Sequence, residues 1–274
     1  MKELKLQKII FLAVLAIMTL IYIGPFLFSL SISFNGDKNV FDWPIQFLPS
    51  APTLENYKNV WNELPFGKWL FNSVLVTTIQ TFSNVFFAAL AGFTFARLEF
   101  PGRKIIFTLL LSSLMIPGII LLVPKFIVLN ELSMINSYGG LILPGLVGVT
   151  NIFLMKQFFE TIPKDLEQAA LIDGCSYFRL FWQIFIPISK PALAAVAIYT
   201  FQGSWNEFLW PVIVSYTEDM YTLPLGMASL RHELLTDWPL LMAGTILISL
   251  PTLAIFIIFQ RYFVQGVASS GLKG

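Results

Sequence analysis

The 274-residue sequence predicts an all-α polytopic membrane protein with six transmembrane helices and both termini in the cytoplasm. Three observations predict it. The chain is 56% hydrophobic and 12% charged, about half the charged fraction of a soluble domain, with a mean hydropathy of +0.75. Five stretches of at least 20 residues, 9–36, 69–96, 105–124, 132–155 and 238–260, contain no Asp, Glu, Lys or Arg, and a sixth, 191–217, is interrupted only by Glu207. Lys and Arg fall unequally on alternate connections between these stretches. About 20 apolar residues in a helix cross the roughly 30 Å hydrocarbon core, and runs this continuously apolar lack the alternation of barrel strands.

Taken in order, the spans are expected at about 9–32, 69–96, 105–128, 137–158, 190–215 and 239–261. The first follows Lys2, Lys5 and Lys8. Its apolar run exceeds the core of a cleavable signal and ends at no small-x-small site, so it reads as an uncleaved helix. The external connection, 35–68, carries Asp37, Asp42-Trp43-Pro44, Pro49, Pro52 and Pro65, an ordered loop in which Thr53 to Tyr57 can start a short helix. Pro117-Gly118 and Pro124 in the third span, Pro144-Gly145 in the fourth and Pro251 in the sixth can bend helices or free carbonyls, and read mostly as packing features. The 27 Phe read as lipid contact and helix packing.

Orientation follows from the basic residues. The N-terminus, the second and fourth connections and the tail hold 12 Lys and Arg, against 5 on the other side. Together these are all 17, so no basic residue has to lie at the bilayer centre. The whole chain, 1–274, reads as a single transmembrane domain with a cytoplasmic loop at 160–187.

Composition also excludes functions. Seventeen basic against sixteen acidic residues leave no surplus to hold a nucleic-acid backbone. One Cys and one His cannot build a zinc cage or a Cys-His nucleophile pair, so no metal site and no catalytic residue is expected. No Gly-x-x-x-x-Gly-Lys-Ser/Thr loop occurs, so ATP is not bound here in that manner. An ion-coupled secondary transporter would carry several intramembrane ionisable residues where this chain offers Glu207, and a membrane enzyme would need a clustered constellation that is missing. His232, beside Arg231 and Glu233, is expected to face water or an external protein.

The segment 163–187 reads as two short helices. Pro163 suits a first turn, Asp165 and Glu167 lie near the positive helix end, and Gly174 can take the left-handed conformation that ends it. Leu166, Ala169, Ala170 and Asp173 fall together at helical spacing. Two alanines permit close approach by another surface, while a loop lying on the membrane is an equally physical reading.

The segment resembles the signature of binding-protein-dependent ABC importer permeases, Glu-Ala-Ala, three residues, Gly, nine residues, Ile-x-Leu-Pro. Here it runs Gln168-Ala169-Ala170, three residues to Gly174, then nine to Ile184-Phe185-Ile186-Pro187. Gln168 replaces the usual Glu, with Glu167 just before it, and Ile186 replaces the usual Leu. Further matches are Trp205-Asn206-Glu207-Phe208, Asp237-Trp238-Pro239-Leu240-Leu241-Met242-Ala243-Gly244, and the stretch from Gln260-Arg261 through Gly266 to Gly271-Leu272-Lys273-Gly274. All six expected spans are covered, in the manner of the carbohydrate branch and its maltose-permease-like second subunit.

The resemblance implies a type I ABC importer permease fold and an importer with a second permease subunit, two ATPase subunits binding ATP and Mg, and an extracellular solute-binding protein. The substrate it implies is a carbohydrate, with glycerol-phosphate-type solutes as the alternative. Glu167, Gln168, Ala169, Ala170, Asp173 and Gly174 would dock on an ATPase, and Gly271, Leu272 and Lys273 would reach the same interface. Glu207 lies 17 residues after Lys190, about 25 Å along an ideal helix, toward the external leaflet. With Gln202, Trp205 and Asn206 it offers the amides, carboxylate and ring suited to a sugar. Pairing with a partner helix is the structural alternative.

Overall fold

The computed structural model describes residues 2–38, 40, 43, 47–231 and 236–271, with side chains between residues 7 and 259. Helices dominate, and among the described residues no strand forms beyond one bridge between Asn35 and Pro52. In chain order they are α1 (Lys2–Ser33), α2 (Glu55–Asn62), α3 (Phe66–Arg97), α4 (Arg103–Ser112), α5 (Leu122–Glu131), α6 (Tyr138–Ile142), α7 (Val149–Thr161), α8 (Lys164–Ile172), α9 (Tyr177–Leu180), α10 (Ile186–Ile188), α11 (Lys190–Trp205), α12 (Leu209–Val214), α13 (Leu223–Ser229) and α14 (Trp238–Gly271). Among the described residues four segments are long and apolar enough to cross a membrane: Gln7–Ser33, Phe66–Arg97, Tyr138–Thr161 and Trp238–Phe259. Two further pairs reach that length only jointly, Arg103–Met115 with Gly118–Glu131, bent by 96°, and Tyr177–Ile188 with Lys190–Trp205, bent by 77°.

The bends have local causes. Pro117 lacks an N–H and pushes Ile116 into extended backbone, φ −87° and ψ 116°, which stops one helix before the next begins. Pro187 lies in α10 and Pro191 in the first turn of α11, with Ser189 between the two helices. Past Trp205 the chain leaves the helix at Asn206 and resumes it only at Leu209. The stretch expected as one span at 190–215 is therefore two helices with Glu207 at the break.

The chain divides into two compact units. The first, 1–67 with 226–251, contains α1 and α2. Asn56 Nδ2 donates to the carbonyls of Ser33 and Asn35 at 3.0 and 2.8 Å, supplying the partners that the end of α1 lacks. Lys38 pairs with Asp237 at 2.6 Å, and the hydrogen bond to that carboxylate raises the Lys38 pKa.

The second unit, 68–225 with 252–274, holds the signature loop and the break at Glu207. Its main core joins α3, α7 and the loop through Phe93, Phe159, Phe181 and Phe185, whose rings meet at 4.9 to 6.1 Å. Gly92 lets α3 and α7 touch: a Cβ there would stand 2.7 Å from Met155 Cβ and 2.9 Å from the Lys156 nitrogen. A second cluster gathers Val76, Leu129, Leu141, Trp210 and Val214.

Candidate functional site

Two arrangements of the second unit concentrate polar chemistry. The first is the loop helix α8. Pro163 precedes it, Asp165 and Glu167 occupy its first turn, and Gly174 closes it at φ +77°. The N–H of Cys175 donates to Ala170 O at 2.9 Å and that of Gly174 to Leu171 O at 3.1 Å. This paired return of orphan carbonyls is the Schellman arrangement, which needs a left-handed residue. A Cβ at Gly174 would meet nothing within 4 Å.

Burial separates the residues that spacing grouped. Ala170 is buried in the main core, whereas Leu166, Gln168, Ala169, Asp173 and Gly174 are exposed and Ile172 is 86% exposed. Adjacent residues on a helix point about 100° apart, so Ala169 and Ala170 face different ways. Glu167 also turns inward, its side chain 13% exposed and paired with Arg97 at 3.3 Å.

Arg97, the last residue of α3, was legible in sequence only as a connection charge. It is 8% exposed. Its Nη2 donates to the carbonyls of Phe159 and Ile162, at the end of α7, and its guanidinium stands 5.0 Å from the centre of the Phe185 ring. One planar side chain thus holds the ends of α3 and α7, the start of α8 and the core beneath them.

The second arrangement is a cavity of about 790 Å³ bordered by Gln80, Asn84, Asn151, Thr200, Gln202 and Glu207, among others. Its wall is built where Pro144 interrupts the helix between α6 and α7. That interruption leaves carbonyls without helical partners, and α3 supplies them. Gln80 Nε2 donates to the oxygens of Leu141 and Ile142 at 3.1 and 3.2 Å, Ser83 to Leu146 at 2.8 Å and Asn84 Nδ2 to Gly145 at 2.7 Å. Broken helices are tolerated at membrane depth when neighbours satisfy the freed groups in this way. Ser204 of α11 donates to Gln80 Oε1 at 2.7 Å and extends the network across the cavity.

Of the four residues singled out in the fifth span, Gln202 and Glu207 border this cavity. Glu207 Oε1 accepts from the N–H of Trp210 at 3.1 Å, and Trp210 Nε1 donates to Gly140 O at 2.9 Å, which ties α12 to α6. Trp205 is 2% exposed and stacked on Phe201 at 5.5 Å, so its ring serves the interior. Asn206 donates to Gln202 O at 2.9 Å within its own turn. Gly271 ends the helical backbone of α14; Leu272, Lys273 and His232 lie outside the described residues. Among the described residues no group of three or more His, Cys, Asp or Glu is placed to hold a metal. Gln80, Asn84 and Asn151 were missed in sequence, although Ser73, Thr77, Gln80 and Asn84 recur at the spacing of one helical face.

Helices long and apolar enough to span a membrane, broken beside a cavity bordered by amides and a carboxylate, give the chain the build of a membrane protein. Comparison with known proteins gives the family. Residues 84–269 match the model of the binding-protein-dependent transport system inner membrane component. The arabinooligosaccharides transport system permease protein of Halalkalibacterium halodurans is 36% identical over 97% of this chain and 93% of its own length. The sn-glycerol-3-phosphate transport system permease protein of Yersinia enterocolitica is 34% identical over 93% and 95%. A chain in the crystal structure of a bacterial ABC transporter involved in the import of the acidic polysaccharide alginate superimposes with a TM-score of 0.86 at 20% identity, covering 94% of this chain and 97% of that one. The chain belongs to the family of binding-protein-dependent transport system inner membrane components, the permease subunits of ABC importers.

Proposed function

We infer that this chain is the non-catalytic permease subunit of an ATP-driven importer of sugars or oligosaccharides. It acts with a second permease subunit, two ATPase subunits that bind ATP and Mg, and an extracellular solute-binding protein. The observation that carries the reading is the two-sided placement of α8. Its inner face is fixed through Glu167, Ala170 and Arg97, while Gln168, Ala169, Asp173 and Gly174 are uncovered. A helix that is rigidly rooted and open on its outer face can convert the closure of a docked ATPase into movement of α3 and α7.

Read as six crossings, each bent pair counted as one, the chain has α8 and both termini on one side, and the 12 basic residues there against 5 on the other support reading that side as the cytoplasm. Gly271, Leu272 and Lys273 then approach the same ATPase face. Gln202 and Glu207 border the solute pathway, and Trp205 and Asn206 lie between them in the chain.

A carbohydrate substrate is supported by the arabinooligosaccharide permease at 36% identity, and a glycerol-phosphate-type solute is the second reading, supported by the relative at 34%. A Cβ at 174 meets nothing within 4 Å, so a Trp there starts from open space beside the exposed face of α8, the space a docked partner would use. Gly174→Trp should therefore enter the membrane and assemble with the second permease while ATP-dependent uptake in proteoliposomes falls to background. Uptake at the wild-type rate would sink the docking assignment, and uptake driven by an ion gradient without ATP would sink the importer reading.

A further inference from the structure

One polar atom beside the cavity is left without a hydrogen bond, and its orientation is forced. The N–H of Gly148 donates to Asn84 Oδ1 at 2.7 Å, and a backbone N–H can only donate, so Asn84 must turn its oxygen that way. Asn84 Nδ2 donates in the opposite direction, to Gly145 O at 2.7 Å and Gln80 O at 2.9 Å. Facing Asn84 Oδ1, Asn151 must present its nitrogen. Asn151 Nδ2 accordingly lies 2.8 Å from Asn84 Oδ1 and 2.9 Å from Thr200 Oγ1. Flipping the Asn151 amide would set two oxygens against each other. Asn151 is 4% exposed, and among the described residues its Oδ1 has no hydrogen-bond partner. Buried side-chain oxygens in this condition are uncommon and costly.

We propose that Asn151 Oδ1 accepts a hydroxyl of the transported solute, and that the cavity selects neutral polyhydroxylated molecules over phosphorylated ones. The proposal rests on the importer reading given above. An unpaired carbonyl oxygen calls for a donor, which any solute hydroxyl can be, and a phosphorylated solute offers its hydroxyls together with a dianion that the wall must accommodate. Lys125 and Glu207 are the charged residues of the lining, one of each sign, so the wall has no net positive charge to offset a phosphate.

In this conformation the oxygen is sealed from solvent. Asn151 belongs to α7 and Thr200 to α11, joined by their hydrogen bond. For the oxygen to accept a solute hydroxyl, α7 and α11 must part far enough to uncover it. A solute that binds only the parted state then favours it, as any ligand favours the state for which it has the greater affinity.

The test uses the whole importer in proteoliposomes loaded with ATP, offered arabinotriose, maltotriose and sn-glycerol 3-phosphate, then the monodeoxy analogues of whichever sugar is carried. Wild type should carry a neutral sugar and discriminate against at least one monodeoxy analogue by roughly 2- to 12-fold, the size of one hydrogen bond. Asn151→Ala should bring that ratio to one. A purely structural role would lower uptake of parent and analogue alike and leave the ratio intact, which overturns the proposal. Asn151→Ser keeps a donor toward Asn84 without an oxygen at the Oδ1 position, and it decides the question if the alanine variant does not assemble. Uptake of glycerol phosphate but neither sugar overturns the selectivity and leaves the importer reading standing. Absence of ATP-dependent uptake of every probe overturns both.

Discussion

Arg97 meets four groups at once: the Glu167 carboxylate, two carbonyls at the end of α7, and the face of Phe185. Removing one partner of a buried pair strands the other without water, at a cost of roughly 3–5 kcal/mol. Arg97→Met keeps much of the side-chain length but leaves Glu167 and both carbonyls unanswered. It should lower the thermal stability of the purified permease by about that amount, whereas Glu167→Gln, which keeps an acceptor for the guanidinium, should cost less. Thermal unfolding in detergent separates the two. Sequence placed Arg97 on the charged connection after the second span, and the structure finds it at the helix end. Its inward reach was illegible because its partners are backbone oxygens 62 and 65 residues away, which carry no sequence signature. Gly174 was readable for the opposite reason: its left-handed backbone is a local requirement, written in the residue type itself.

At the level of elements, α3 organises the second unit by offering different residues to different neighbours. Its polar stripe answers the break at Pro144, and Gly92 admits α7 to van der Waals contact. Adding bulk to a filled contact costs typically 1–3 kcal/mol. Gly92→Leu, with backbone and Cβ atoms of α7 in the way, should reduce recovery of folded permease, visible as aggregation in size-exclusion chromatography. A monodisperse variant of unchanged stability would contradict the packing described here. Charge-free length marks the four long apolar helices among the described residues, because hydrophobic thickness is a constraint on composition. It did not locate the breaks at 116–117, 189 and 206–208. Pro117 marked the first as a candidate, while Pro187 and Pro191, which flank the second, were not read that way; whether a proline ends a helix or only bends it depends on which neighbour accepts the freed carbonyls. At 206–208 no proline stands, and Glu207 itself receives the N–H of Trp210 that starts α12.

For the whole molecule, the inward placement of the signature loop is open to a direct check, since Cys175 is the chain's single cysteine, borders Gly174 and is partly exposed. A membrane-impermeant maleimide should label it in inside-out vesicles and leave it unmodified in right-side-out ones, and bound ATPase should slow the labelling. Labelling from the outside would reverse the orientation drawn from the basic residues. Family membership was legible from the spacing of the loop and three further motifs. The cavity was legible only at Gln202 and Glu207, because the other amides that border it, Gln80 and Asn84 of α3 and Asn151 of α7, are each unremarkable in a linear reading. The empty space around Gly174 has a last consequence. Within this chain, the first carbon of a side chain at 174 is limited by torsion and not by space: a left-handed backbone costs L-residues about 1–2 kcal/mol, and a Cβ meets nothing within 4 Å. Gly174→Ala therefore registers the torsional cost alone, and a loss of uptake in that variant beyond this cost reports on contact with another molecule.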